Sequence, residues 1–153
     1  MSAEARLKEL GIVLPPAAKP IANYVPFRRA GALLFLSGQG PREADGTLLT
    51  GKVGGAVRVE EAYRRARLAG LALLALARAA LGSLDKVDAV VKLFGMVNAE
   101  PLFGDHPKVI NGCSDLFVDV FGERGRHARS AVGMGSLPGN MSVEIEAILM
   151  VRD

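Results

Sequence analysis

Apolar residues recur along the chain with two periods, and the switch between them marks the elements. From about Val57 to Leu81, the residues Val59, Tyr63, Ala66, Gly70, Leu73, Leu74, Ala77 and Leu81 fall along one stripe. Glu60, Glu61, Arg64, Arg65, Arg67 and Arg78 lie mostly off that stripe, so the spacing predicts a long amphipathic helix stopped by Gly82. A second helix is predicted from about Asp105 to Gly122, with Val109, Ile110, Cys113, Leu116, Phe117 and Val120 at helical spacing. Ser2 is placed to cap a short helix through Glu4, Leu7 and Leu10, ended by Gly11 and the Pro15-Pro16 pair.

Elsewhere the period is two. Tyr24–Arg28 and Ala32–Ser37 read as a hairpin around Arg29-Ala30-Gly31, and its second strand is almost wholly apolar, hence central. A strand over Val87–Val97 is expected to set Val87, Ala89, Val91 and Leu93 on one face and Asp88 and Lys92 on the other. The last two runs, joined by Leu137-Pro138-Gly139-Asn140, read as an antiparallel pair. Val143, Ile145, Ala147, Leu149 and Val151 share one face of the second run, opposite Glu144, Glu146, Ile148 and Met150. In the first run Ser130, Val132 and Met134 share a face opposite Arg129, Ala131, Gly133 and Gly135. With both apolar rows turned to the core, Arg129 and Glu144 are expected on one side of the sheet, where the arginine would lower the pKa of the acid. Residues 42–55 read as loop.

The order strand, strand, helix, strand, helix, strand, strand gives a two-layer α+β domain with both helices on one face. The other face carries Ile148 and Met150 and is expected to meet another subunit. At 153 residues the chain suits one domain. Nineteen basic against sixteen acidic residues leave a net charge of +3, far short of a nucleic-acid-binding tail. The arginines at 64, 65 and 67 form a modest basic ridge, which keeps RNA binding open as an alternative. One cysteine, Cys113, excludes an internal disulfide and reads as core filler, and the cytoplasm is the expected compartment. The region Leu68–Leu81 contains Gly70 and Arg78 and is not read as a membrane span. His106, Cys113 and His127 do not have metal-ligand spacing, and Gly51-Lys52 lacks the Ser/Thr ending of a phosphate loop.

Chemistry concentrates on Arg129 and Glu144. A guanidinium is a rigid fork that matches a carboxylate, and an acid beside it can act on water. The bland alternative, a structural pair of Arg129 with Glu144 or Glu146, stays open on pattern alone. Arg129-Ser130, Leu137-Pro138 and Val143-Glu144-Ile145-Glu146-Ala147, together with Ser37-Gly38-Gln39, Tyr24 and Asn111, resemble motifs of the RidA/YjgF family. These are small trimeric reactive-intermediate (enamine/imine) deaminases, formerly labelled endoribonucleases or translation inhibitors. The resemblance runs from about residue 20 to 151, so residues 1–19 are expected to be an N-terminal extension and 20–153 the family domain.

The resemblance implies a chorismate-mutase-like subunit with a mixed β-sheet packed on two helices, assembled as a homotrimer with clefts between subunits. It implies hydrolysis of small 2-imino acids to 2-keto acids and ammonia without metal or cofactor. Arg129 would hold the substrate carboxylate and Glu144 would position or activate water. Tyr24, Ser37, Gly38, Asn111 and Ala131 would line the cleft. Ala131 stands where the family often has cysteine, and His127 where it has a small residue or proline. A non-catalytic trimer that binds a small carboxylate is the alternative function.

Overall fold

The computed structural model describes residues 1–19 and 22–153; residue 20, the expected start of the family domain, lies outside the described residues. The elements are α1 (Ala3–Glu9), β1 (Phe27–Ala30), β2 (Leu33–Gln39), α2 (Val59–Leu81), β3 (Val87–Asn98), α3 (His106–Phe121), β4 (Ala128–Met134) and β5 (Val143–Val151). The five strands form one mixed sheet in the order β1-β2-β5-β3-β4. All pairs are antiparallel except β3 with β4, which are joined through α3 as a parallel crossover. The chorismate-mutase-like α+β fold expected from the motifs is the fold observed.

One expectation about strand pairing fails. β4 and β5 are not a hairpin, because β3 lies between them and pairs with both. β5 is inserted between β2 and β3, so both of its edges are satisfied, and its alternation is clean. Val143, Ile145, Ala147, Leu149 and Val151 are all buried. β3 departs from the expected alternation because its pairing with β5 slips between Val87 and Ala89 and again between Val90 and Lys92. Each irregularity admits one extra residue and reverses the faces beyond it. Val87, Val90 and Leu93 therefore enter the core, while Val91 is 39 % exposed. The first hairpin turns at Gly31-Ala32, slightly later than expected, because Gly31 supplies the positive φ (60°) that the turn needs.

Helices α2 and α3 pack on the same face of the sheet, α2 over β5 and β2, α3 over β3 and β4. They approach closely because two crossing points lack side chains. A Cβ at Gly112 would overlap the Tyr63 carbonyl, and one at Gly70 would sit 3.0 Å from Cys113 Sγ. Cys113 is fully buried at this crossing, and burial pushes its thiol pKa up. Ser2 caps α1 by accepting from the Ala5 N–H. That helix shares the core. Leu7 is 2 % exposed, Glu4 bonds Arg78 and the Leu84 N–H, and Asp85 accepts from the Glu4 N–H.

The opposite face of the sheet is uncovered in a single protomer. Leu33, Phe35, Val91, Val132 and Met150 are each 36–42 % exposed there. None of the described helices is long and apolar enough to cross a membrane.

Candidate functional site

Two polar regions carry the residues singled out in the sequence, and they occupy opposite faces of the sheet. The first is built at the end of β2. Four β2 residues, Leu36 to Gln39, lie against three of β5, Ala147 to Ile145, and the resulting bulge falls on Ser37-Gly38. Each residue of the Ser-Gly-Gln motif has a distinct task in it. The Ser37 hydroxyl donates to the Val25 carbonyl at 2.7 Å and so ties down the segment that carries Tyr24. The Gln39 amide folds back to donate to the Ser37 and Gly38 carbonyls at 3.1 and 2.9 Å. Gly38 leaves room for Glu144, since a Cβ there would lie 2.7 Å from Glu144 Oε1.

Tyr24, Gly38 and Glu144 accordingly line one cleft of about 560 Å³. Its other walls include Pro15, Pro16, Leu48 and Met141, with Arg42 at the polar end. Proline and loop residues at 15, 48 and 141 carry no periodic signal, and sequence reading missed them. Glu144 is half-buried. Burial first, and then the charge of Glu146, raise its pKa above the ordinary carboxylate range. The expected lowering by Arg129 is absent, because the arginine is not on this face.

The second region lies under α3. Leu93 pairs with Arg129, Gly95 with Ala131 and Val97 with Gly133, so these three β4 residues share the buried face of β3. The face reversal has a steric cause. A Cβ at Gly133 would lie 2.6 Å from His106 Nε2 at the start of α3, so only the small row of β4, with the flexible Arg129, fits beneath the helix. Val132 takes the open face instead. Ala131 packs against the edge of the core, outside the Glu144 cleft.

Arg129 Nη1 donates to Asn111 Oδ1 and to Ser114 Oγ, both at 2.9 Å, and Nη2 reaches the Pro107 carbonyl at 3.4 Å. Asn111 and Arg129 are thus brought together as two of the expected site residues. Ser114 was missed, although its i+3 spacing from Asn111 puts it on the same helix face. Ser114 Oγ is in turn 2.9 Å from His127 Nε2, and His127 Nδ1 is 2.6 Å from the Gly125 carbonyl. The bland pairing of Arg129 with Glu144 or Glu146 does not form. None of the ion pairs among the described residues involves Arg129 or Glu144.

Two of the three arginines of the basic ridge on α2 are paired with acids. Arg64 bonds Glu61 and Glu43, and Arg65 bonds Glu61, the Thr50 carbonyl and Ser142. Hydrogen bonds from Arg64 and then Arg65 lower the Glu61 pKa to about 2. Among the described residues no group of three His, Cys, Asp or Glu side chains could hold a metal ion.

Comparison with known proteins follows the fold. The sequence model described as "YjgF/chorismate_mutase-like, putative endoribonuclease" matches residues 4–147, a span that begins inside α1. The chain is 45 % identical over 150 residues to Protein TCP17 of Trypanosoma cruzi, covering 97 % of this chain and 94 % of that one. The crystal structure of Atu1372 from Agrobacterium tumefaciens, of unknown function, is 51 % identical with a TM-score of 0.90, over 98 % of this chain and 92 % of that one. TdcF of E. coli, solved with bound serine, is 27 % identical with a TM-score of 0.61, over 91 % of this chain and 94 % of that one. The chain belongs to the RidA/YjgF family.

Proposed function

We propose that the protein hydrolyses small reactive imines that carry a carboxylate, such as 2-iminopropanoate, to 2-keto acids and ammonia. One observation carries this reading. The guanidinium of Arg129 and the carboxylate of Glu144 are both left without a counter-charge among the described residues, on opposite faces of one sheet. A partly buried unpaired charge is costly, so a waiting partner is the economical explanation. Because one protomer cannot bring the two together, the active cleft is composite. Arg129 reaches it from the edge strand of one protomer, and Glu144, Gly38 and Tyr24 come from a neighbour. The exposed apolar sheet face, with Leu33, Phe35 and Met150, supplies the contact between protomers, and the family resemblance makes the assembly a ring of three.

In this cleft Arg129 binds the substrate carboxylate and fixes the imine carbon opposite Glu144. Asn111 keeps the guanidinium turned towards it, and Tyr24 and Gly38 border the reacting atoms. Glu144 accepts a proton from water as the water oxygen bonds to the imine carbon. That proton passes to nitrogen to give a carbinolamine, Glu144 then takes the hydroxyl proton and delivers it to the same nitrogen, and as the carbonyl forms the carbon–nitrogen bond breaks and ammonia leaves. Burial raises the Glu144 pKa and makes it a stronger base than an exposed carboxylate, and the bound substrate carboxylate offsets the lowering that the neighbour's Arg129 would impose. The bound serine of TdcF, a small molecule with a carboxylate and an amine, is of the chemical class this site would take. No step in this sequence calls on a metal or cofactor.

The test is ammonia release from freshly generated 2-iminopropanoate. Purified protein should accelerate it, and Arg129→Ala should abolish the acceleration. A flat response across a panel of small and bulky imino acids would overturn the reading, and saturable pyruvate binding without turnover would leave a carboxylate-binding protein.

A further inference from the structure

The hydrogen bonds behind Arg129 have a single consistent direction. The Gly125 carbonyl only accepts, so His127 Nδ1, 2.6 Å away, carries the hydrogen. In the neutral ring Nε2 is then a lone pair, to which the Ser114 hydroxyl donates across 2.9 Å. With its hydrogen so directed, Ser114 Oγ presents its lone pairs to Arg129 Nη1, also 2.9 Å away. The imidazole is half-buried and packs edge-on to Phe117 with ring centres 6.4 Å apart. Burial holds its pKa below the ordinary histidine value, the Gly125 bond opposes this, and the charge of Arg129 adds to the lowering. Around the ring, α3 contributes Ser114 and Phe117, the turn before β4 contributes Gly125, and β4 contributes Arg129. Arg129 is the one charge recorded as acting on the ring among the described residues.

We propose that His127 and Ser114 form a positioning relay for Arg129, in which the neutral imidazole sets the Ser114 hydroxyl to lock the guanidinium and a proton taken up by His127 releases it. The relay rests on the reading of Arg129 as a carboxylate clamp. Once protonated, Nε2 becomes a donor and Ser114 Oγ faces two cationic donors with its hydrogen displaced. The two positive charges repel, and the guanidinium loses one of its three anchors on α3. His127 and Ser114 touch no substrate. They act through Arg129.

Pyruvate, which stays ionised across the working range, is the probe. The wild-type Kd should rise about tenfold as pH falls from 7.5 through the lowered His127 pKa, the loss expected for one charge-assisted hydrogen bond. His127→Gln keeps an acceptor for Ser114 but does not titrate, so its Kd at pH 7.5 should match wild type and at lower pH should change only as far as Glu144 imposes. Glu144 titrates as well, and comparison with His127→Gln, which retains Glu144, removes its contribution. His127→Phe keeps the contact with Phe117 but removes the acceptor, and should bind weakly at every pH. A purely structural histidine would instead give equal losses in both variants. Nitrogen-15 NMR of the imidazole gives an independent readout, with the Nδ1–H tautomer expected. The Nε2–H tautomer, or a His127→Gln profile that tracks wild type, overturns the relay while Arg129-dependent binding survives. If wild type binds no pyruvate and turns over no imino acid, the functional reading falls and the relay falls with it.

Discussion

Arg129 and Glu144 differ less in charge than in how the fold treats them. The arginine is held in place by Asn111, Ser114 and the Pro107 carbonyl, all on α3. The acid hangs over Gly38 in the cleft, half-buried and without an ion pair among the described residues, and the charge that acts on it is that of Glu146. A preset cation opposite a destabilised anion is the arrangement expected of a clamp and a base, since the clamp gains from rigidity and the base from a raised pKa. The sheet lies between them, so the two do not meet within one protomer, and under the proposed function they meet through a second one.

The strongest way to break this comparison is to separate the halves genetically. Arg129→Ala and Glu144→Gln should each lower kcat/KM about a hundredfold or more. Co-expressed, the two inactive chains should recover about a quarter of wild-type activity, because random assembly around a ring pairs an intact Arg129 with a neighbour's intact Glu144 in that share of interfaces. A site contained in one protomer would recover nothing. On the arginine side, Asn111→Asp puts an internal carboxylate 2.9 Å from Nη1. It should weaken pyruvate binding about tenfold or more while Tm holds or rises, since the new ion pair competes with the ligand.

On the acid side the expected effect is smaller. Gly38→Ala would push the Glu144 carboxylate aside, because the new methyl would lie 2.7 Å from Oε1, and the backbone there needs no positive φ. We expect kcat to fall about tenfold, the scale of a small misplacement of a catalytic group, with pyruvate Kd almost unchanged. Equal damage to Kd and kcat would mean that Gly38 serves carboxylate binding instead.

Much of this was legible in the sequence, and the failures have physical causes. The alternation of β5 held because two strands flank it and one face is dry. That of β3 failed because nothing in Val87–Lys92 announces two irregularities. Apolar content alone turns Ser130, Val132 and Met134 of β4 towards the core, whereas the clearance between Gly133 and His106 turns the other row inward. Two strands separated by a short polar turn read as a hairpin, and only long-range pairing places β3 between them. The approach of Asn111 to Arg129 was reached through family resemblance. Ser114 and His127 are reachable by spacing, three residues along α3 from Asn111 and two residues before Arg129, just ahead of β4.

The smallest expected effect bears most directly on assembly. Glu144 has a raised pKa, from burial and then from Glu146. Its charged form is therefore disfavoured in the folded chain. The sign follows by linkage: its contribution to stability is fully present below the ordinary carboxylate range and is lost as pH rises through the raised folded value. Glu144→Gln should accordingly raise Tm relative to wild type at pH 8 and leave it unchanged near pH 4. Glu146→Gln removes the lesser cause, so the acid limb of the kcat profile should move to lower pH without reaching that of an exposed acid. Arg129 is not among the groups acting on Glu144 within one protomer. In an assembled cleft, however, a neighbour's guanidinium would lower the Glu144 pKa. Carbon-13 NMR of the Glu144 carboxyl in Arg129→Ala thus separates the two arrangements. An upward shift relative to wild type means that a neighbour's arginine reaches the acid, and an unchanged value means that the two charges never share a cleft.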